Sequence, residues 1–98
     1  MPQFDVYRGA RSRGYLLDCQ SDLLDDLGSR VVVPLIPYAD GKAAARLHPT
    51  FVVEKQEVVM ATHLIVAIPR DRLGPAVTSL SQDRYEILAA IDMLITGI

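Results

Sequence analysis

FVVEKQEVVMAT, Phe51 to Thr62, is the stretch whose reading decides the fold. Two runs rich in β-branched residues, Phe51–Glu54 and Glu57–Ala61, flank Lys55-Gln56, which is the pattern of two antiparallel strands around a reversal. Neither Gly nor Asn stands at the turn, so the connection is expected to be longer than two residues. The surrounding segments extend the same reading. RVVVPLIP (Arg30–Pro37) is continuously apolar and predicts a buried strand, with Pro34 marking a bulge or an edge position. HLIVAIP (His63–Pro69) predicts another buried strand, and RDRLGPAV after it a basic connection. Upstream, FDVYR (Phe4–Arg8) and YLLDCQ (Tyr15–Gln20) read as strands separated by the polar loop of RGAR with Ser12 to Gly14. Ser21 is a candidate N-cap for a short helical turn over SDLLDDLG, with Gly28 as its stop. YADGKAAARLH reads as a mobile loop. Short, closely spaced strands followed by one terminal helix predict a mainly β, α+β fold: a compact antiparallel sheet or small barrel carrying a helix.

That helix is announced by Ser79-Leu80-Ser81-Gln82, a capping box with Ser79 as N-cap. At 100° per residue Ile87, Leu88, Ile91, Leu94 and Ile95 share one arc, the expected core-facing stripe, while Tyr85, Ala89, Asp92 and Thr96 gather opposite. Gly97 reads as a left-handed C′ residue, with Ile98 folding back on Met93. Asp92 stands against the negative end of the helix dipole with no base after Tyr85 to offset it. Both a solvated face and a partner-binding acid fit that position.

The chain has 98 residues, half of them apolar and 22% charged, with a net charge of −2. These values fit one globular domain spanning residues 1–98. Lys and Arg are scattered, which argues against direct nucleic-acid binding by the chain alone. No apolar run reaches the length of a membrane span and no basic-then-apolar leader opens the chain, so the expectation is a protein with no membrane association. A single cysteine, Cys19, excludes an internal disulfide and makes the cytoplasm the default location.

Catalytic chemistry finds little support. Cys19 has no basic neighbour or helix start to generate a thiolate, so a packed thiol is the plainer reading. His48 and His63 lack ligand spacing to another His, Cys or acid, so no metal and no cofactor is expected. Asp22, Asp25 and Asp26 are more readily solvated carboxylates than an acid–base pair. The residues lean towards a binding protein.

Taken in order, QFDVY, LLDCQSDLLDDLGSRVVVPL, LHPTFVVEKQEVVMAT and a terminal helix ending ITGI resemble the CcdB family of bacterial toxins. The resemblance covers nearly the whole chain. It implies a sheet-plus-helix fold related to SH3-like barrels, a homodimer, and a neighbouring antitoxin that neutralises the toxin. It also implies binding to the DNA gyrase A subunit, trapping that enzyme on cleaved DNA, with no catalysis by the toxin itself. Residues that contribute to the gyrase surface in the family correspond here to Leu23, Leu24, Asp92, Thr96, Gly97 and Ile98. Two positions depart from the family pattern: Thr96 stands where the best-known members carry Trp, and Asp92 where Asn is common. Loop bases Arg8, Arg11, Arg13, Lys42 and Arg46 offer a landing place for an acidic antitoxin segment, although no residues are specified for that contact. Two alternatives stay open. One is a ribonuclease on a related barrel, for which Arg30, Thr62 and His63 are the loosely suitable set; the other is an inactive relative that binds only antitoxin.

Overall fold

The computed structural model describes residues 2–9, 14–38 and 46–98. Among the described residues seven strands form one antiparallel sheet: β1 (Asp5–Arg8), β2 (Tyr15–Asp18), β3 (Ser29–Pro37), β4 (Thr50–Val53), β5 (Gln56–Met60), β6 (Val66–Pro69) and β7 (Ala76–Ser79). The order is β4-β5-β3-β2-β1-β7, with β6 also paired to β3. The sheet curls into a half-barrel closed by one helix, α1 (Arg84–Thr96). Most of the loop expected over Tyr38–His48, and the centre of the one over Gly9–Gly14, lie outside the described residues.

Alternation builds the interior. Val6, Tyr15, Leu17, Val33, Leu35, Phe51, Val53, Val58 and Met60 point to one side and meet Ile87 and Ala90 of α1. The other face of the sheet is not bare, because Val32 and Val59 are buried there, Val32 lying opposite Asp18, which pairs with the buried Arg30.

β3 is the hub, which corrects the expectation for Pro34. It lies at neither edge nor terminus: β2 pairs along one side of β3, while the other side is shared between β6, against Ser29–Val32, and β5, against Leu35–Pro37. The Pro34 carbonyl accepts from the Ala61 N–H at 2.8 Å, so its main-chain groups face the shared side. The missing N–H therefore falls where one partner strand gives way to the next, and no ladder bond is lost.

The hairpin forms as expected but its turn does not. Val53 pairs with Gln56, leaving the two-residue turn Glu54-Lys55. Both residues have positive φ, 51° and 65°, which is the type I′ arrangement normally filled by Asn-Gly. Glu54 is held there by its side chain. Tyr15 Oη donates to Glu54 Oε1 at 2.9 Å and Arg8 Nη2 donates to Oε2 at 3.0 Å, tying the turn to β1 and β2. Burial and the bond to Glu54 both push the Tyr15 phenol up.

Three other expectations change. His63–Pro69 is not one buried strand: Thr62–Leu64 forms a 3₁₀ turn, and β6 is an edge strand whose Val66 and Ala67 are exposed. The basic connection contains a 3₁₀ turn, Arg70–Arg72, and the first two residues of β7, Ala76 and Val77. Ser79 Oγ does accept the Ser81 N–H at 3.2 Å, but the first turn, Ser81–Asp83, is 3₁₀ and α1 proper starts at Arg84 with no side-chain cap. Ser79 is committed to pairing with Asp5, and that strand geometry delays the helix.

Candidate functional site

The six residues singled out by sequence fall into two groups. The first is the end of α1. Gly97 has φ 77° and donates its N–H to the Met93 carbonyl, the left-handed termination expected of glycine. Thr96 Oγ1 donates to the Asp92 carbonyl at 2.7 Å and accepts the Ile98 N–H at 3.2 Å. The threonine hydroxyl thus ties the final residue to the last helical turn. Asp92, Thr96, Gly97 and Ile98 are all exposed. Ile98 keeps 76% of its surface in water, so the expected fold-back onto Met93 does not bury it. Ile95 also departs from the expected stripe, being 74% exposed. Ile87 and Ala90 anchor the first half of α1 in the core, with Ile91 and Leu94 half-buried, whereas the last turn stands clear of the sheet.

The second group is the turn after β2. Asp22–Leu24 forms a 3₁₀ turn with Ser21 as N-cap, its hydroxyl accepting from the Leu23 N–H. Asp25, not Gly28, ends it. Leu23 is 92% exposed and Leu24 half-exposed. Beneath this segment lies a network that sequence reading missed. Arg30, fully buried, donates through Nε and Nη2 to Asp18 Oδ2, at 3.0 and 2.7 Å, and through Nη1 to Asp25 Oδ1 at 3.0 Å. Burial pushes the Asp18 carboxyl up, and the Arg30 guanidinium and the Gln20 N–H oppose that rise. Gln20 accepts the Val31 N–H and donates to the Leu24 carbonyl. An Arg opening an apolar strand, Asp18 before it and a polar Gln20 in between were the available signals; their convergence is a property of the fold.

The two groups sit at opposite ends of α1. Asp22 Oδ1 accepts the Gln3 N–H at 2.7 Å, and Gln3 Oε1 accepts from Arg84 Nη1 at 3.3 Å. The turn after β2 is thus linked through Gln3 to the first residue of the helix. Thr96 is twelve residues further on, about 18 Å along the axis at ~1.5 Å per residue.

The set considered for RNA cleavage does not assemble. Arg30 is engaged by Asp18 and Asp25 away from solvent, and Thr62 is buried with its hydroxyl donating to the Leu47 carbonyl. His63 instead meets His48, whose Nε2 is 2.9 Å from His63 Nδ1. Burial and then His63 hold the His48 imidazole below the usual range. Among the described residues no three His, Cys, Asp or Glu side chains gather as a metal site. Burial, reinforced by Asp18, pushes the Cys19 thiol up to about 12, which makes it a packed thiol and not a nucleophile. Of the loop bases, Arg8 pairs with Glu54 and Arg46 is exposed; Arg11, Arg13 and Lys42 lie outside the described residues. No helix among the described residues is long and apolar enough to cross a membrane.

The curled sheet closed by one helix is the fold expected from the resemblance, and the comparison by family model agrees with it. The model described as CcdB protein matches residues 3–97. The chain accordingly belongs to the CcdB family.

Proposed function

We propose that this protein is the toxin of a toxin–antitoxin pair and acts by binding the A subunit of DNA gyrase and trapping the cleaved gyrase–DNA complex. Family membership implies a gyrase-poisoning toxin of such a system. The observation that carries the finer reading is the carboxyl end: Ile98 is 76% exposed on a tip ordered by Gly97 and by the Thr96 hydroxyl. A side chain that merely sealed the core would be buried; Ile98 stays in water, available for a partner. Leu23 and Leu24 supply a second contact, with Asp92, Thr96, Gly97 and Ile98 forming the first. Asp92 suits a charge-assisted bond to an arginine of the partner. In a homodimer, two such tips brought near the axis would present a combined surface. The cognate antitoxin neutralises the toxin, and the protein works in the cytoplasm without catalysing a reaction of its own.

The test is to incubate the purified protein with gyrase, ATP and supercoiled plasmid, then stop the reaction with detergent and protease. Linear DNA that accumulates only when both proteins are present is the expected result. RNA cleavage in the absence of gyrase, or no cleaved complex at any toxin concentration, would overturn the reading.

A further inference from the structure

The turn that carries Leu23 is ordered without being packed. None of Asp22–Leu24 is buried, and half-covered Leu24 is the turn's main apolar contact, so packing alone does not hold it. Hydrogen bonds from distant parts of the chain do. Gln3 reaches it from the N-terminal side through Asp22, and Gln20 from beneath through the Leu24 carbonyl. The third hold comes from far along the sequence. Arg70 Nη1 donates to the Asp25 carbonyl at 2.9 Å, with a longer contact to the Leu27 carbonyl at 3.4 Å. The main-chain N–H of Arg70 donates to the Gly28 carbonyl at 3.0 Å. Register explains the encounter, because Pro69 at the end of β6 pairs with Ser29 at the start of β3. The next residue of β6's chain is thereby delivered to the base of the turn.

We infer that Arg70 is a positioning residue for partner binding: its guanidinium grips the carbonyls of Asp25 and Leu27 and so holds the Leu23 side chain, already ordered, towards gyrase. The inference rests on the gyrase reading above and adds to it a residue that does not touch the partner. A loop that must be ordered on docking loses affinity relative to one that is ordered beforehand. Arg70 binds main-chain carbonyls here, so its effect is through geometry, separate from long-range attraction between charges.

The experiment is a double-mutant cycle on the full chain, measuring affinity for a gyrase A fragment, combined with amide hydrogen exchange. Arg70→Met keeps much of the side-chain volume and removes the donors. It should weaken binding by roughly three- to tenfold and speed exchange at the Leu23, Leu24 and Leu27 amides, with little change in melting temperature. In a Leu23→Ala background the same substitution should cost nothing further, because the side chain being positioned is gone. Asp22→Ala, which releases the turn from Gln3 at an exposed site, is the second variant and should speed exchange in the same way. Unchanged exchange in Arg70→Met would overturn the grip itself. An equal loss of affinity with and without Leu23 would overturn the positioning role. Failure of the unaltered protein to bind gyrase would instead bring down the gyrase reading, and with it the purpose given to Arg70, while the exchange data would still report on the grip.

Discussion

Removing Gly97 and Ile98 separates two roles that these residues can have, sealing the core and meeting a partner. Ile98 is 76% exposed, so about a quarter of its side chain leaves water on folding. Full burial of such a side chain contributes about 1.5–3 kcal/mol, which makes the share here about 0.4–0.7 kcal/mol. Two exposed hydrogen bonds are also lost, from Gly97 N–H to the Met93 carbonyl and from Ile98 N–H to Thr96 Oγ1, and water replaces most of their worth. The total loss of stability is therefore about 1 kcal/mol, a fall in melting temperature of roughly 4–8 °C for a domain of this size. Loss of a contact that anchors an interface has a larger effect, about 2 kcal/mol or more, which is roughly a 30-fold fall in affinity. Calorimetry on the truncated protein, beside titration with a gyrase A fragment, measures both. A melting temperature lower by more than ~15 °C would mean that the tip is part of the core. Unchanged affinity would mean that the partner does not use it. Either result refutes the reasoning.

Four further outcomes are expected. Thr96→Trp should strengthen gyrase binding by adding an aromatic anchor, read by the same titration, despite losing the hydroxyl that holds Ile98. Lys55→Gly should raise stability by about 0.5–1 kcal/mol in urea denaturation, since φ 65° strains a side chain that makes no hydrogen bond among the described residues; Glu54→Gly should give no gain, because it also removes the bonds to Tyr15 and Arg8. Arg30→Met should cost about 3–5 kcal/mol at pH 7 by leaving Asp18 charged in the interior without its cation. Without Arg30 the folded Asp18 carboxyl rises further, the folded state binds a proton more tightly than the unfolded one, and the deficit should shrink as pH falls towards 4. For His48 the sign is opposite: its folded form resists protonation, so the unfolded chain takes up more protons below about pH 6.5 and stability falls with pH. His48→Gln should accordingly show a shallower loss than the unaltered protein between pH 7.5 and 5.5 in urea titrations.

Sequence made the sheet legible where one physical signal decided the matter. β-branched runs fixed β3, β4 and β5, and Gly97 marked the helix end, because only glycine takes that conformation without strain. Local signals failed where tertiary contacts outvoted them. The Glu54-Lys55 turn lacks turn chemistry and is held by Arg8 and Tyr15, residues some forty positions away. β6 reads as buried because an unbroken apolar run does not say whether both of its faces, or either, will be covered. AVTS in β7 is too short and too polar to announce itself, and its place at the edge beside β1 tolerates that.

The site divides in the same way. Resemblance drew attention to Leu23 and Ile98, but what would fit them for a partner is visible only in three dimensions. At the helix tip Thr96 and Gly97 order the backbone; in the turn after β2, Gln20, Gln3 and Arg70 do. In both places the entropy of ordering has already been lost on folding while the apolar side chain remains in water. A partner that covers either one gains the burial without ordering the chain again, and this is the condition under which a small surface binds tightly. The distance of about 18 Å between the two ends of α1 then sets a geometric demand. On the proposed function, one gyrase surface that touches both groups would either span roughly the length of the helix or take the turn from one toxin copy and the tip from another.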